Sequence, residues 1–115
     1  MRFSKRDQTY QVSRITGPTH NLLRLELHPE EENTEPALEA LQLDPPEPDS
    51  GLDPNIILNE VLTGIATANS EFGVSYTVRR IQYVPSDTPS KGVYEFMAKS
   101  IVERIVEGGE FLPLK

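Results

Sequence analysis

Apolar side chains recur along this chain with two different periods, and the change from one period to the other marks its elements. Leu23, Leu25 and Leu27 alternate with Leu22, Arg24, Glu26 and His28, the two-residue repeat of a half-buried strand that Pro29 ends. Thr9 to Ile15 is rich in β-formers, and the turn residues of Gly17-Pro18-Thr19-His20-Asn21 follow it. The two segments predict an antiparallel hairpin with a five-residue connection, with Leu23, Leu25 and Leu27 facing the helices.

The period then becomes helical. Asp53 is an N-cap residue and Pro54 suits the first helical position. Ile57, Leu58, Val61, Leu62, Ile65 and Ala68 form one stripe, and Gly73 is placed to stop the helix in a left-handed conformation. Val74 to Val84 is a long β-rich run. Val74, Tyr76 and Val78 share one face, but beyond Arg79-Arg80 the apolar parity passes to Ile81 and Tyr83, which predicts a bulge or strong twist at the arginines. Pro85 ends this strand. Thr88 with Pro89 reads as the cap and first position of a last helix, whose buried stripe is Tyr94, Met97, Ala98, Ile101, Val102 and Ile105. Gly108-Gly109 stops it, and Phe111 and Leu112 are expected to fold back on the core.

Between the hairpin and the first helix, residues 30–52 form an acidic, proline-rich connector whose edges are expected to be mobile. Ala37 to Leu43 within it fits a short helix by propensity and a third strand by the alternation of Leu41 and Leu43; the needs of the sheet favour the strand. The order β-β-(β)-α-β-α predicts an α+β two-layer sandwich, a sheet of three to four strands with both helices on one face. Residues 1–115 form a single domain, with residues 1–8 as a flexible N-terminus.

Charge changes this picture in one respect. The formal net charge is −7, yet nine of the 18 acidic residues lie between Glu30 and Asp53, where no lysine or arginine stands. The rest carries 11 basic against 9 acidic residues, so the folded body is close to neutral. The chain has no cysteine, which excludes disulfides and thiolate chemistry. No secretory signal pattern and no apolar run of membrane-spanning length is present, so the expectation is a cytoplasmic protein without a membrane partner.

Candidate chemistry is sparse. His20 and His28 stand about 26 Å apart if the segment is extended, too far to share an ion. His28 beside Glu30, Glu31 and Glu32 reads as a strand end entering a solvated loop rather than a cation site. Ser86, Asp87 and Thr88 have the spacing of a turn and cap. No phosphate-binding loop, zinc-protease, nucleophile-elbow or dinucleotide motif occurs. The expectation is no enzyme, no cofactor and no metal. Arg79, Arg80, Arg14, Arg24 and Lys91 are expected to form a basic patch on the open face of the sheet, with Tyr83 or Tyr76 able to stack a base, as sheet-surface RNA binders do.

Spread along the chain, Leu22 to Pro29, Asp53-Pro54-Asn55-Ile56-Ile57 through to Gly73, Val78 to Val84, and Tyr94 to Ile101 running on to Gly108-Gly109 resemble, in order, length and pattern, domain IV of elongation factor G, in the ribosomal protein S5 domain 2-like superfamily. The resemblance covers the chain from about Thr9 onward, without the GTPase portion. It implies a translation-related binding domain that contacts ribosome or RNA. In that family the tip loops are rich in glycine and basic residues and one carries a histidine. Here the corresponding turns, Thr16 to Asn21 and Pro85 to Ser90, are short, and His20 does not fall at the family's position, so no functional residue carries over. The other reading is a protein-interaction or scaffold module, monomeric or a weak homodimer. It would pair through an edge strand, with the acidic connector docking a basic partner and Leu25, or Leu38, Leu41 and Leu43, as anchors. No DNA partner is expected.

Overall fold

A computed structural model describes residues 1–17, 19–29, 35–42 and 47–115. The strands are β1 (Arg2–Arg6), β2 (Thr9–Thr16), β3 (Thr19–Pro29), β4 (Ala37–Ala40), β5 (Tyr76–Tyr83) and β6 (Leu112–Pro113); the helices are α1 (Pro54–Phe72) and α2 (Val93–Val106). All six strands join one mixed sheet in the order β4-β5-β3-β2-β1-β6. The architecture is α+β with both helices packed on the sheet through one core, in which Ile65 and Ile101 lie together with Leu23, Leu25 and Leu27. Among the described residues no helix is long and apolar enough to cross a membrane.

The sheet is larger than the three to four strands expected. Residues 2–6, expected to be flexible, instead pair antiparallel with β2, and the C-terminal Leu112–Pro113 adds in parallel beyond them. Phe3 explains the ordering: its ring meets Phe111 edge-on at 6.0 Å, and Phe111 meets Tyr10 at 5.4 Å, so both chain ends are tied to the core. The hairpin is also tighter than its expected five-residue connection. Thr16 and Thr19 already pair, and the Thr19 hydroxyl donates to the Thr16 carbonyl at 2.8 Å. Ala37–Ala40 is a strand, as the needs of the sheet suggested, and it runs parallel to β5 with α1 as the crossover between them. Leu43 and Pro45-Pro46 at its expected end, Pro18 of the hairpin turn, and residues 30–34 of the connector lie outside the described residues.

The bulge expected at the arginines is present. Glu26 pairs with Arg80 and Leu27 with Val78, which leaves Arg79 as the extra residue of β5 and restores the apolar parity on both sides.

Helix α1 starts and stops as its sequence indicates. Asp53 accepts the Asn55 N–H at 2.9 Å, Pro54 is the first helical residue, and Gly73 closes the helix in the left-handed region. Its buried line is Ile57, Val61, Gly64, Ile65 and Ala68; Leu58 is only half-buried and Leu62 is exposed, because the line faces α2 as well as the sheet. Helix α2 begins later than expected. Thr88 does not cap it; Gly92 does, at φ 80°, a conformation that side-chain-bearing residues rarely adopt. With no side-chain cap of its own, α2 draws one from its neighbour. Glu60 of α1 accepts the N–H of Gly92 through Oε2 and of Tyr94 through Oε1, each at 3.1 Å. Its buried line includes Val93, while Ile105 is half-buried.

Contacts between the helices succeed one another in the same direction. Glu60 meets Gly92 and Tyr94, Gly64 meets Glu95 and Ala98, and Lys99 reaches Glu71 at 2.8 Å. The helices therefore run parallel and come into close backbone contact at Gly64. A Cβ there would collide with the Glu95 carbonyl and stand 3.2 Å from the Ala98 methyl. Glycine in a helix interior costs about 1 kcal/mol relative to alanine, so its place here follows from packing. Gly64→Ala should accordingly lower stability by about 1–3 kcal/mol despite its better propensity. Urea unfolding midpoints measure this, and a gain in stability would show that the helices do not touch at that point.

Candidate binding surface on the open sheet face

Because the helices take one face of the sheet, alternation sends a second set of side chains to the other. Register aligns Ser4, Gln11, Arg24, Gln82 and Glu39 across β1, β2, β3, β5 and β4. Arg24 donates to Gln11 Oε1 from Nε at 3.0 Å and from Nη2 at 2.8 Å, and Gln82 donates to Glu39 Oε1 at 2.9 Å. The next row holds Arg6, Thr9, Glu26 and Arg80. Arg80 lies 3.8 Å from Glu39, both about half exposed, and the His28 ring lies 2.8 Å from Glu26. Cross-strand polar contacts of this kind hold side chains in fixed positions on the pleat.

The basic charge on this face is incompletely neutralised. Among the described residues neither Arg6 nor Arg24 has a carboxylate within 4.0 Å. Partial burial and, after it, the Arg6 charge both lower the Arg24 pKa, so the two guanidinium groups disfavour each other. An anion bound at this face would relieve that repulsion.

The six residues expected to form one patch do not come together. Arg24 and Arg80 lie on the open face, and Arg79 is the exposed bulge residue beside them. Arg14 falls on the helix side, its guanidinium 6.0 Å from the Phe96 ring centre. Lys91 stands in the turn before α2. Tyr83 is 8% exposed in the core, and Tyr76 packs against the same core, so neither can stack a base on the open face. Arg2 and Arg6 lie outside the expected patch because a flexible N-terminus has no face; the sequence signal for their strand is Phe3 set between polar residues.

A second cluster joins the hairpin turn to the β5–α2 connection. The Leu22 N–H lies just past the last β3–β5 pair, and Asp87 completes the ladder by accepting it through Oδ2 at 2.6 Å. Asp87 Oδ1 lies 3.4 Å from His20 Nε2, with Asp87 only 2% exposed. Thr88 exchanges bonds with the His20 backbone, accepting its N–H on Oγ1 at 3.3 Å and donating its own N–H to the His20 carbonyl at 3.1 Å. Asn21 donates to the Thr88 carbonyl at 2.8 Å and to the Tyr94 hydroxyl at 3.3 Å, and burial pushes that phenol up to about 12. Ser50 donates to the Asp87 carbonyl. A pocket of about 270 Å³ opens beside His20 and Asp87, lined also by Ser13 and Ile15. Thr88 thus ties two turns together instead of capping a helix, and the Asp87 carboxylate serves as a ladder acceptor. The cation site considered at His28 involves Glu30 to Glu32, which lie outside the described residues.

Burial holds the Asp87 carboxyl above its ordinary value of 3.8, against the lowering effects of the Leu22 N–H and His20. The folded chain therefore binds this proton more tightly than the unfolded chain. Its contribution to stability falls as pH rises from 3.8 through the raised folded value. Asp87→Asn keeps an acceptor for Leu22 and removes the titration. Relative to that variant, the urea midpoint of the parent protein should decline as pH rises across this window; parallel profiles would contradict the assignment. Comparison with known proteins gives no further lead: no family model matches the chain, and no curated protein or solved structure does.

Proposed function

We propose that this chain is a non-catalytic binding module that contacts the phosphate backbone of folded RNA through the open face of its sheet. The observation that carries the reading is that Arg6 and Arg24 share the open face with no carboxylate within 4.0 Å of either among the described residues, while Arg24 bonds to neutral Gln11. Arg80 extends the basic positions along the same face. Tyr10, Tyr76, Tyr83 and Tyr94 all belong to the core or pack on it, so the face suits phosphate and shape contacts rather than base stacking. The resemblance to domain IV of elongation factor G supports the ribosome as the RNA-bearing partner and the cytoplasm as the location. The acidic connector reaches this face through Glu39, which lies against Arg80 and Gln82 and offsets part of its charge.

Protein docking is the second reading, and β4 favours it. This four-residue strand ends the sheet with Ala37, Glu39 and Ala40 exposed, whereas β6 closes the other edge with two residues, one of them Pro113. Leu25 cannot anchor a partner, since it is fully buried, and Leu38 packs on the chain's own core. A concentration-independent monomer in sedimentation equilibrium would remove the homodimer form of this reading.

Co-sedimentation with purified ribosomes across a salt series separates the two. Binding should weaken steeply with salt. In Arg6→Glu plus Arg80→Glu the affinity should fall and the slope of log affinity against log salt should flatten by about 2. Equal binding and an equal slope in the double variant would reject the RNA reading.

A further inference from the structure

Away from the open face, a cleft of about 510 Å³ lies between the first turn of α1 and the turn that leads into α2. Leu52, Ile56, Ile57, Pro89 and Tyr94 line it, and Ile56 is 55% exposed. Three charged residues also line it: Asp53, Glu60 and Lys91. Two are already engaged. Asp53 accepts the Asn55 N–H, and both oxygens of Glu60 accept backbone N–H groups at the start of α2. Because the helices are parallel, both N-termini converge here, and their partial positive charges, about half a unit each, offset about half of the charge of those two carboxylates. Lys91 has no ion-pair partner among the described residues. Lys91 balances the remainder, and among the described residues its ammonium is the charged side-chain group at this cleft with no hydrogen-bond or ion-pair partner.

We propose that this cleft binds a small amphipathic anion, an apolar body carrying one carboxylate, with Lys91 pairing to the carboxylate and Leu52, Ile56 and Ile57 holding the apolar part. The cavity falls within the size range of small-molecule sites, which are mostly apolar with few placed polar groups. A cation would have to compete with the helix N–H groups for Glu60 and Asp53, and an uncharged chain would leave Lys91 unmatched. The site is separate from the sheet face and does not depend on the RNA reading.

Sodium octanoate is the probe, with octylammonium chloride and octanol as matched controls, followed by methyl and amide NMR of the full chain. At about 0.4 kcal/mol per heavy atom a ligand of this size binds in the millimolar range, so the titration runs to about 20 mM. Octanoate should shift the Ile56, Ile57 and Leu52 methyls saturably, and Lys91→Gln should weaken it about fivefold, the scale of an exposed ion pair. Ile56→Trp should fill the cleft and abolish binding while the amide spectrum stays folded. Three results would each overturn the proposal: no saturable shift at these methyls, octylammonium or octanol binding as tightly as octanoate, or Lys91→Gln binding octanoate unchanged.

Discussion

The contact between α1 and α2 governs the rest of the molecule. Two parallel helices set their dipoles side by side with like ends together, an arrangement that gains nothing electrostatically. Here it is held by close packing at Gly64 against Glu95 and Ala98, and by Glu60, whose carboxylate lies between the start of α2 and the second turn of α1. The carboxylate provides the negative charge that the N-terminus of α2 favours and the acceptor that Gly92 cannot supply. With the helices locked together, one layer covers β2, β3 and β5, and the hydrophobic stripes of both helices and of β3 are buried at once, each large side chain contributing about 1.5–3 kcal/mol.

One consequence is a sheet with two unlike faces. The covered face is apolar and closely packed; the open one carries cross-strand polar contacts, Arg24 with Gln11, and Gln82 and Arg80 with Glu39. Such a face remains ordered without a second layer because its long side chains bond one another: Arg24 to Gln11, Gln82 to Glu39, His28 to Glu26. Order is what a recognition surface requires, since fewer rotamers are lost when a partner arrives. The Asp87–His20–Thr88 cluster acts at one end of the same sheet, continuing the β3 ladder past the point where β5 ends.

What the sequence revealed follows from which forces are local. The caps of α1, the alternation of Leu23, Leu25 and Leu27, and the parity break at Arg79-Arg80 are local signals, and each corresponds to a feature of the fold. β1 and β6 have almost no local signal. They exist because the edge of β2 was open and because Phe3 and Phe111 meet each other, a contact between chain ends that no window of sequence contains. Thr88-Pro89 has the chemistry of a helix start, but the same hydroxyl also suits the His20 backbone, and the tertiary partner prevailed. The basic patch was only partly legible for a similar reason. Strand parity assigned Arg24 and Arg80 correctly, whereas Arg14 shares its parity with Tyr10 and Val12, and Lys91 belongs to another end of the molecule.

The chain has no cysteine, so single cysteines can report directly on which side of the sheet is covered. Leu25→Cys and Glu26→Cys place a thiol at adjacent positions of β3, and their rates of reaction with a small alkylating reagent under native conditions measure the two faces. One covered face and one open face require fast labelling at position 26 and strong protection at position 25. Equal protection at both would mean that the supposedly open face is covered, and would contradict the account.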